Sequence, residues 1–298
     1  FQTALSPMSP VFLPFPPEAI IRALTMLSLV GLLFAVGLRL GIRAVASALR
    51  SCRLALILPL NFIAVPLLAY GLARLFRVPD DHAVGMLLLA AAPFAPVVPV
   101  FVKMARGNLA LAAGLTAVFP IFCTLLTPLA AEAALAGLNG SARLDLRPSA
   151  MLAMLFGTVT LPLLLGLGVR HGWPGLAGRL LRPLEVIAET AGAVSLVFIT
   201  WVEWDTLAAT GGPTLLAMTL ASEGCFLLGL AAGGPERSAR RVIAFGSANR
   251  NIALAILVAV QTFTGTRVVG AVVANGLLLI FLGLLHVAWY RFAAPEPD

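Results

Sequence analysis

The sequence predicts an all-α polytopic membrane protein, and three observations predict it. The chain is 60% hydrophobic and 11% charged, where soluble domains carry about a quarter charged residues. Its mean hydropathy is +1.00. Apolar runs recur along the whole length, each long enough to cross the roughly 30 Å of hydrocarbon in a bilayer. The polar connections between them are short, so one membrane domain covers nearly everything and leaves no room for a soluble one.

Hydropathy and breakers give nine spans in order: about 18–38, 53–75, 82–103, 108–131, 149–170, 184–204, 213–233, 239–261 and 266–290. Basic residues set their orientation. Arg39, Arg43, Arg50 and Arg53 follow the first span, Lys103 and Arg106 the third, and Arg170, Arg179 and Arg182 the fifth. Arg237, Arg240 and Arg241 follow the seventh, and Arg291 follows the ninth. The other side holds only Arg22, Arg74, Arg77, Arg143, Arg147 and Arg267. The richer side is expected to be cytoplasmic, with the N-terminus outside and the C-terminus inside. The net charge of +7 is therefore read as a topology signal, not as a nucleic-acid footprint.

The outer loops carry Asp80, Asp81, Glu203 and Asp205, and Trp201 and Trp204 read as an interfacial belt. Residues 1–17 are proline-rich and lack the basic start of a signal peptide, and are expected to lie outside the cytoplasm. Residues 18–291 form the single transmembrane domain, and 292–298 a cytoplasmic tail. Cys52, Cys123 and Cys225 show no CxxC spacing and read as small buried side chains. The arginine-rich basic set suggests a bacterial inner-membrane protein.

Two spans are interrupted. The third reads Ala92-Pro-Phe-Ala-Pro-Val-Val-Pro99, and Pro93, Pro96 and Pro99 at this spacing cannot continue a regular helix. The eighth reads Phe245-Gly-Ser-Ala-Asn-Arg-Asn251, where small residues permit a break and Asn249 and Asn251 offer donors and acceptors. Arg250 places a guanidinium at bilayer depth, where charge costs at least a few kcal/mol and faces protein or a watery cavity. The interruptions are five spans apart. An odd offset makes the second unit run through the membrane in the opposite sense, so spans 1–4 pair with 6–9 and span 5 with a helix preceding the first. Paired broken helices in an inverted repeat point to a secondary-transporter site.

Arg250 has three readings: a contact to an anionic substrate, a structural pair with Glu223 of the seventh span, or a replacement for a coupling cation. Glu223 is the candidate proton or salt-bridge partner. Glu185 and Glu189 are expected to be hydrated near the cytoplasmic end of the sixth span. His82, His171 and His286 lie at or near span ends and read as interfacial. No HExxH, aspartate-rich or intramembrane serine–histidine pattern supports an enzyme.

The chain resembles the bile acid:sodium symporter superfamily, which also holds arsenite-efflux and organic-anion carriers. The resemblance rests on Phe34-Ala-Val-Gly-Leu-Arg-Leu, Asn61-Phe-Ile-Ala-Val-Pro-Leu, Met104-Ala-Arg-Gly-Asn-Leu-Ala-Leu and Asn251-Ile-Ala-Leu-Ala, in consistent order over roughly residues 20–290. It implies a core domain holding two crossed broken helices (about 53–131 and 213–290). It also implies a panel domain (about 18–38, 149–170 and 184–204) and ten helices, of which this sequence lacks the first. Sodium-coupled members carry Pro-Gly-Gly-x-x-Ser-Asn in the first crossing helix. Here Val98 and Pro99 replace the Ser and Asn. Thr116 keeps a hydroxyl, Ala112 replaces another ligand, and Gly246 stands where a sodium-bridging glutamate would.

The resemblance and the residues together give a secondary transporter for a small organic anion, working by alternating access in the lipid bilayer. Its expected site is Asn61, Pro93, Pro96, Pro99, Thr116, Asn249, Arg250 and Asn251. No cofactor or metal site is expected, and sodium coupling stays open although most of its ligand positions are lost. A non-transporting membrane receptor using the same cavity and an arsenite-type efflux carrier are the alternatives.

Overall fold

The computed structural model describes residues 16–41, 53–136, 148–263 and 265–292. The N-terminal segment to residue 15, the tail from 293 and Cys52 lie outside the described residues.

Helix α1, Pro17–Arg39, opens with a proline in its first turn followed by Glu18, and closes on Arg39. That order suits the missing N–H and the helix dipole. Then come α2 (Leu54–Leu75), α3 (Asp80–Ala90), α4 (Val98–Met104), α5 (Leu109–Ala136), α6 (Pro148–Gly172) and α7 (Pro174–Val202). The short α8 (Trp204–Ala208), α9 (Gly212–Ala232), α10 (Arg237–Ala248), α11 (Ile252–Thr262) and α12 (Val268–Phe292) complete the chain. Every described regular element is helical.

Among the described residues, eight helices, with α10 and α11 taken together, are long and apolar enough to cross a membrane. The expected ninth, the span at about 82–103, consists instead of α3 and α4, of 11 and 7 residues, too short singly to cross. The span expected at about 184–204 starts ten residues earlier, at Pro174, because Pro183 is accommodated inside α7. Pro99 lies not in the break but in the first turn of α4, where a missing N–H is harmless.

Helices α2 and α6 each contain a π turn, Leu60–Ala64 and Phe156–Thr160. Each lies just ahead of a proline, Pro66 and Pro162, whose ring and missing N–H loosen the preceding turn. The first of these turns carries Asn61.

Helix α1 packs along α6 and α7. Gly37 and Gly166 face each other there, and a Cβ on either would overlap the opposing backbone. Such close approach is how small residues join helices where lipid supplies no hydrophobic drive. Arg39 at the end of α1 pairs with Glu185 of α7. Glu185 is therefore buried and paired, not hydrated as its position suggested, because the end of α1 packs against the body of α7.

Helix α9 packs on α10 and α2, and α12 packs on α3 and α11. The interrupted pair α10–α11 is innermost: 89% of its apolar window is buried, against 28% for α7. The chain's most polar intramembrane segment thus occupies its driest position.

Candidate functional site: two breaks that serve each other

The interruption between α3 and α4 spans residues 91–97, and that between α10 and α11 spans 249–251. They lie against each other. Phe94 N donates to Gly246 O at 3.1 Å, Ala95 N to Asn249 O at 3.1 Å, and Asn251 N to Ala92 O at 2.8 Å. Backbone groups freed by a break at membrane depth must find partners, and here each break supplies them to the other.

The first break exposes four consecutive carbonyls, and each meets a different donor. Ala90 O accepts from Arg250 Nη1 at 3.3 Å, and Ala91 O from Thr127 Oγ1 at 2.7 Å. Ala92 O takes the Asn251 amide, and Pro93 O accepts from Cys123 Sγ at 3.5 Å. Pro93 and Pro96 sit inside this break and contribute no side-chain polarity; their work is to deny the helix its donors.

The second break supplies side chains. Asn249 Nδ2 returns to Phe245 O at 2.9 Å, closing the end of α10. Asn251 Oδ1 accepts from Leu254 N at 3.1 Å and caps α11. Arg250 is 3% exposed. Its Nη2 faces Cys225 Sγ at 3.7 Å, and its Nε has no partner.

The Arg250–Glu223 pair does not form. Glu223 instead meets His286, Oε2 to Nε2 3.1 Å, and that imidazole stacks on Phe226 with centroids 3.8 Å apart. His286 is thus held between α9 and α12. His82 is likewise buried and meets Thr210 at 3.1 Å. Among the described residues no carboxylate is in ion-pair contact with Arg250. An uncompensated charge at such depth costs several kcal/mol.

Asn61 is fully buried. Its Nδ2 donates to Ile57 O at 3.0 Å and to Ser247 Oγ at 3.1 Å, joining α2 to the second break, while Oδ1 is unpartnered. Thr116 is also buried, but its hydroxyl turns back to Ala112 O at 2.8 Å. It reaches neither break through a side-chain hydrogen bond.

Gly246 has a geometric reason. A Cβ there would run into the Phe94 ring, which stacks on Phe119 with centroids 3.8 Å apart. Phe94 is held with φ of +57°, a left-handed conformation that costs about 1–3 kcal/mol outside glycine and persists only where packing enforces it. An aromatic ring thus fills the space into which a side chain at 246 would project.

A cavity of ≈ 550 Å³ lies elsewhere, between α2 and α5. Its walls are apolar, including Phe62, Ile63, Leu67 and Leu129, of which the last three are more than half exposed. In a bilayer such a groove is bathed by acyl chains. It does not reach the breaks.

Sequence reasoning missed Phe94, Cys123, Thr127, Ser247 and Cys225 as partners of the breaks. Thr127 was the most detectable, as one of three threonines in a largely apolar helix. The others were invisible, because the contacts bridge 30 or more residues or, for Cys225, a separate helix.

A family model described as the Sodium Bile acid symporter family matches residues 26–210, well over half of the chain. Over 137 residues the chain is 26% identical to a Bacillus subtilis (strain 168) protein named "Uncharacterized sodium-dependent transporter YocS". That match covers 46% of this chain and 41% of the relative, less than half the length of either. These are multi-pass membrane transporters, not enzymes. With most of its length matched by the family model, the chain belongs to the Sodium Bile acid symporter family.

Proposed function

We propose that this protein moves a small organic anion across the bacterial inner membrane by alternating access, and that Arg250 supplies in cis the positive charge a coupling ion would otherwise bring. The observation that carries this reading is a buried guanidinium, without a carboxylate partner, donating to a carbonyl of the opposite break. A cation bound at that point would seek the same oxygen. The interruptions belong to an inverted repeat in which α1, α6 and α7 form the panel and the remaining spanning helices the core. The dense packing of α1 on α6 and α7 is consistent with such a panel. Residues 91–95 and 249–251 of the breaks are buried in this form, so solute entry requires the two groups to separate. The cytoplasmic face is the one bearing Lys103, Arg241 and Arg291.

Sodium coupling at the breaks is disfavoured by chemistry. Sodium takes several oxygen ligands, and Val98, Ala112 and Gly246 offer no side-chain oxygen, while Phe94 occupies the space beside Gly246. The rival reading, sodium-dependent transport, draws on the relative's printed name. Uptake into proteoliposomes under an imposed sodium gradient, a proton gradient or neither separates the two. Uptake that proceeds without sodium is expected; strict sodium dependence would sink the replacement reading. Arg250→Ala should abolish uptake in protein that still folds, since losing a charge-assisted contact of about 1.5–3 kcal/mol weakens binding about 10–100-fold. Unaltered uptake would leave Arg250 a structural role only.

A further inference from the structure

Arg250 borders a small interior cavity of ≈ 20 Å³. Its other walls come from α2 (Val65, Ala69), α3 (Met86, Leu89, Ala90), α9 (Ala221, Ser222, Cys225) and α12 (Asn275, Leu279). Every one of these residues is buried. The space of ≈ 20 Å³ exceeds the roughly 10–15 Å³ that one water needs, so a halide, being larger, would need its walls to give slightly, and it is far below what an organic solute requires.

Two polar atoms at this cavity have no partner: Arg250 Nε and Asn275 Oδ1, on side chains whose residues are 3% and 6% exposed. Buried polar groups without partners are rare and call for an explanation. The guanidinium also has no carboxylate in contact among the described residues. Each of its two ends is committed elsewhere, Nη1 to Ala90 O and Nη2 to Cys225 Sγ. Nε is the nitrogen with no partner at all, and Nη1 and Nη2 each keep a second N–H.

We infer that this cavity is a small-anion site, taking a halide-sized monovalent anion as the counterion of Arg250. Charge decides between an anion and a water. A water would satisfy Nε but leave the guanidinium uncompensated, whereas an anion does both. The orphan acceptor on Asn275 is no obstacle. Its Oδ1 makes no hydrogen bond to lose, and turning the amide over presents its N–H donors to the cavity. Ser222, whose hydroxyl is turned back to Met218 O at 2.8 Å, can swing round as a further donor. The site would be filled in the form seen here, in which Arg250 is 3% exposed and the cavity is too small for an organic solute. This inference goes beyond the transport reading and concerns inorganic anions only.

The test is thermal unfolding of the purified full chain in detergent, in sodium chloride against sodium gluconate at equal sodium and ionic strength. The expected result is a saturable rise in melting temperature with chloride, reproduced by bromide. In crystals grown with bromide, an anomalous peak is expected beside Arg250 Nε. Arg250→Gln should weaken the halide response at least about tenfold. Should that variant fail to fold, Asn275→Asp carries the test, because its carboxylate supplies the counter-charge from within. It should melt at the same temperature in both salts and above the parent in gluconate. Identical melting of the parent in chloride and gluconate would overturn the inference, as would an undiminished chloride response in Asn275→Asp. The readout is unfolding, not uptake, so a missing halide response leaves the transport proposal standing, and failed uptake leaves the anion site standing.

Discussion

The two interruptions break their helices by opposite means. The first is seven residues long and does so through the backbone, with prolines that withhold donors and no polar side chain of its own. The second is three residues long and does so through side chains, with asparagines that close one helix end and cap the next. The first is consequently a row of acceptors, the carbonyls of Ala90, Ala91, Ala92 and Pro93. The second answers with Arg250 and the Asn251 amide, and accepts in return at Gly246 O and Asn249 O from Phe94 N and Ala95 N. Neither is satisfied alone at membrane depth, and together they close most of each other's deficit. The difference teaches that in this fold a charge can be placed by geometry: a guanidinium lies beside a carbonyl freed by the opposite break.

The largest effect expected in breaking this complementarity comes from its contact point, Phe94 over Gly246. Phe94→Ala should destabilise by about 3–5 kcal/mol through the cavity it leaves, read as a lowered melting temperature. Gly246→Ala should cost about 1–3 kcal/mol by overpacking in the parent and much less in the Phe94→Ala background. Additive losses in the double variant would show that the two positions do not share that space.

Next comes the donor side of the first break. Thr127→Val strips the hydroxyl from Ala91 O, leaving a buried carbonyl unserved at about 1–3 kcal/mol. Thr116→Val, which removes only a bond back along its own helix, should cost less. If the two substitutions cost the same, the row of acceptors holds no special demand.

The second break is probed by Asn251→Ala, which removes the cap of α11 at about 1 kcal/mol. Hydrogen exchange should rise in the first turn of α11 and stay unchanged in α4. The smallest effect is expected from Pro96→Ala, about 0.4–1 kcal/mol acting through the unfolded chain. Its neighbour Ala95 is already tied to Asn249 O, so tertiary bonds hold the break without that proline. A larger loss, or straightening of α3 into α4, would return the break to proline alone.

Much of the architecture was legible from residues. Proline spacing marked the first break, and the Gly-Ser-Ala-Asn-Arg-Asn run marked the second, because backbone chemistry is local. Helix ends were less legible: Pro183 looked like a boundary but lies within α7, tolerated because neighbouring groups re-satisfy what a proline frees. Of the three readings of Arg250, the pair with Glu223 of the seventh span did not form: Glu223 meets His286 on α12.

The sequence by itself determined a membrane protein of long apolar helices with two breaks and an intramembrane arginine, since hydropathy and proline act over one or two turns. Only the tertiary structure decided where each freed carbonyl finds its donor, why residue 246 must be glycine, and that Arg250 has no carboxylate partner among the described residues. Those outcomes depend on groups from separate helices meeting within about 3 Å, and no pattern along a single helix specifies such a meeting.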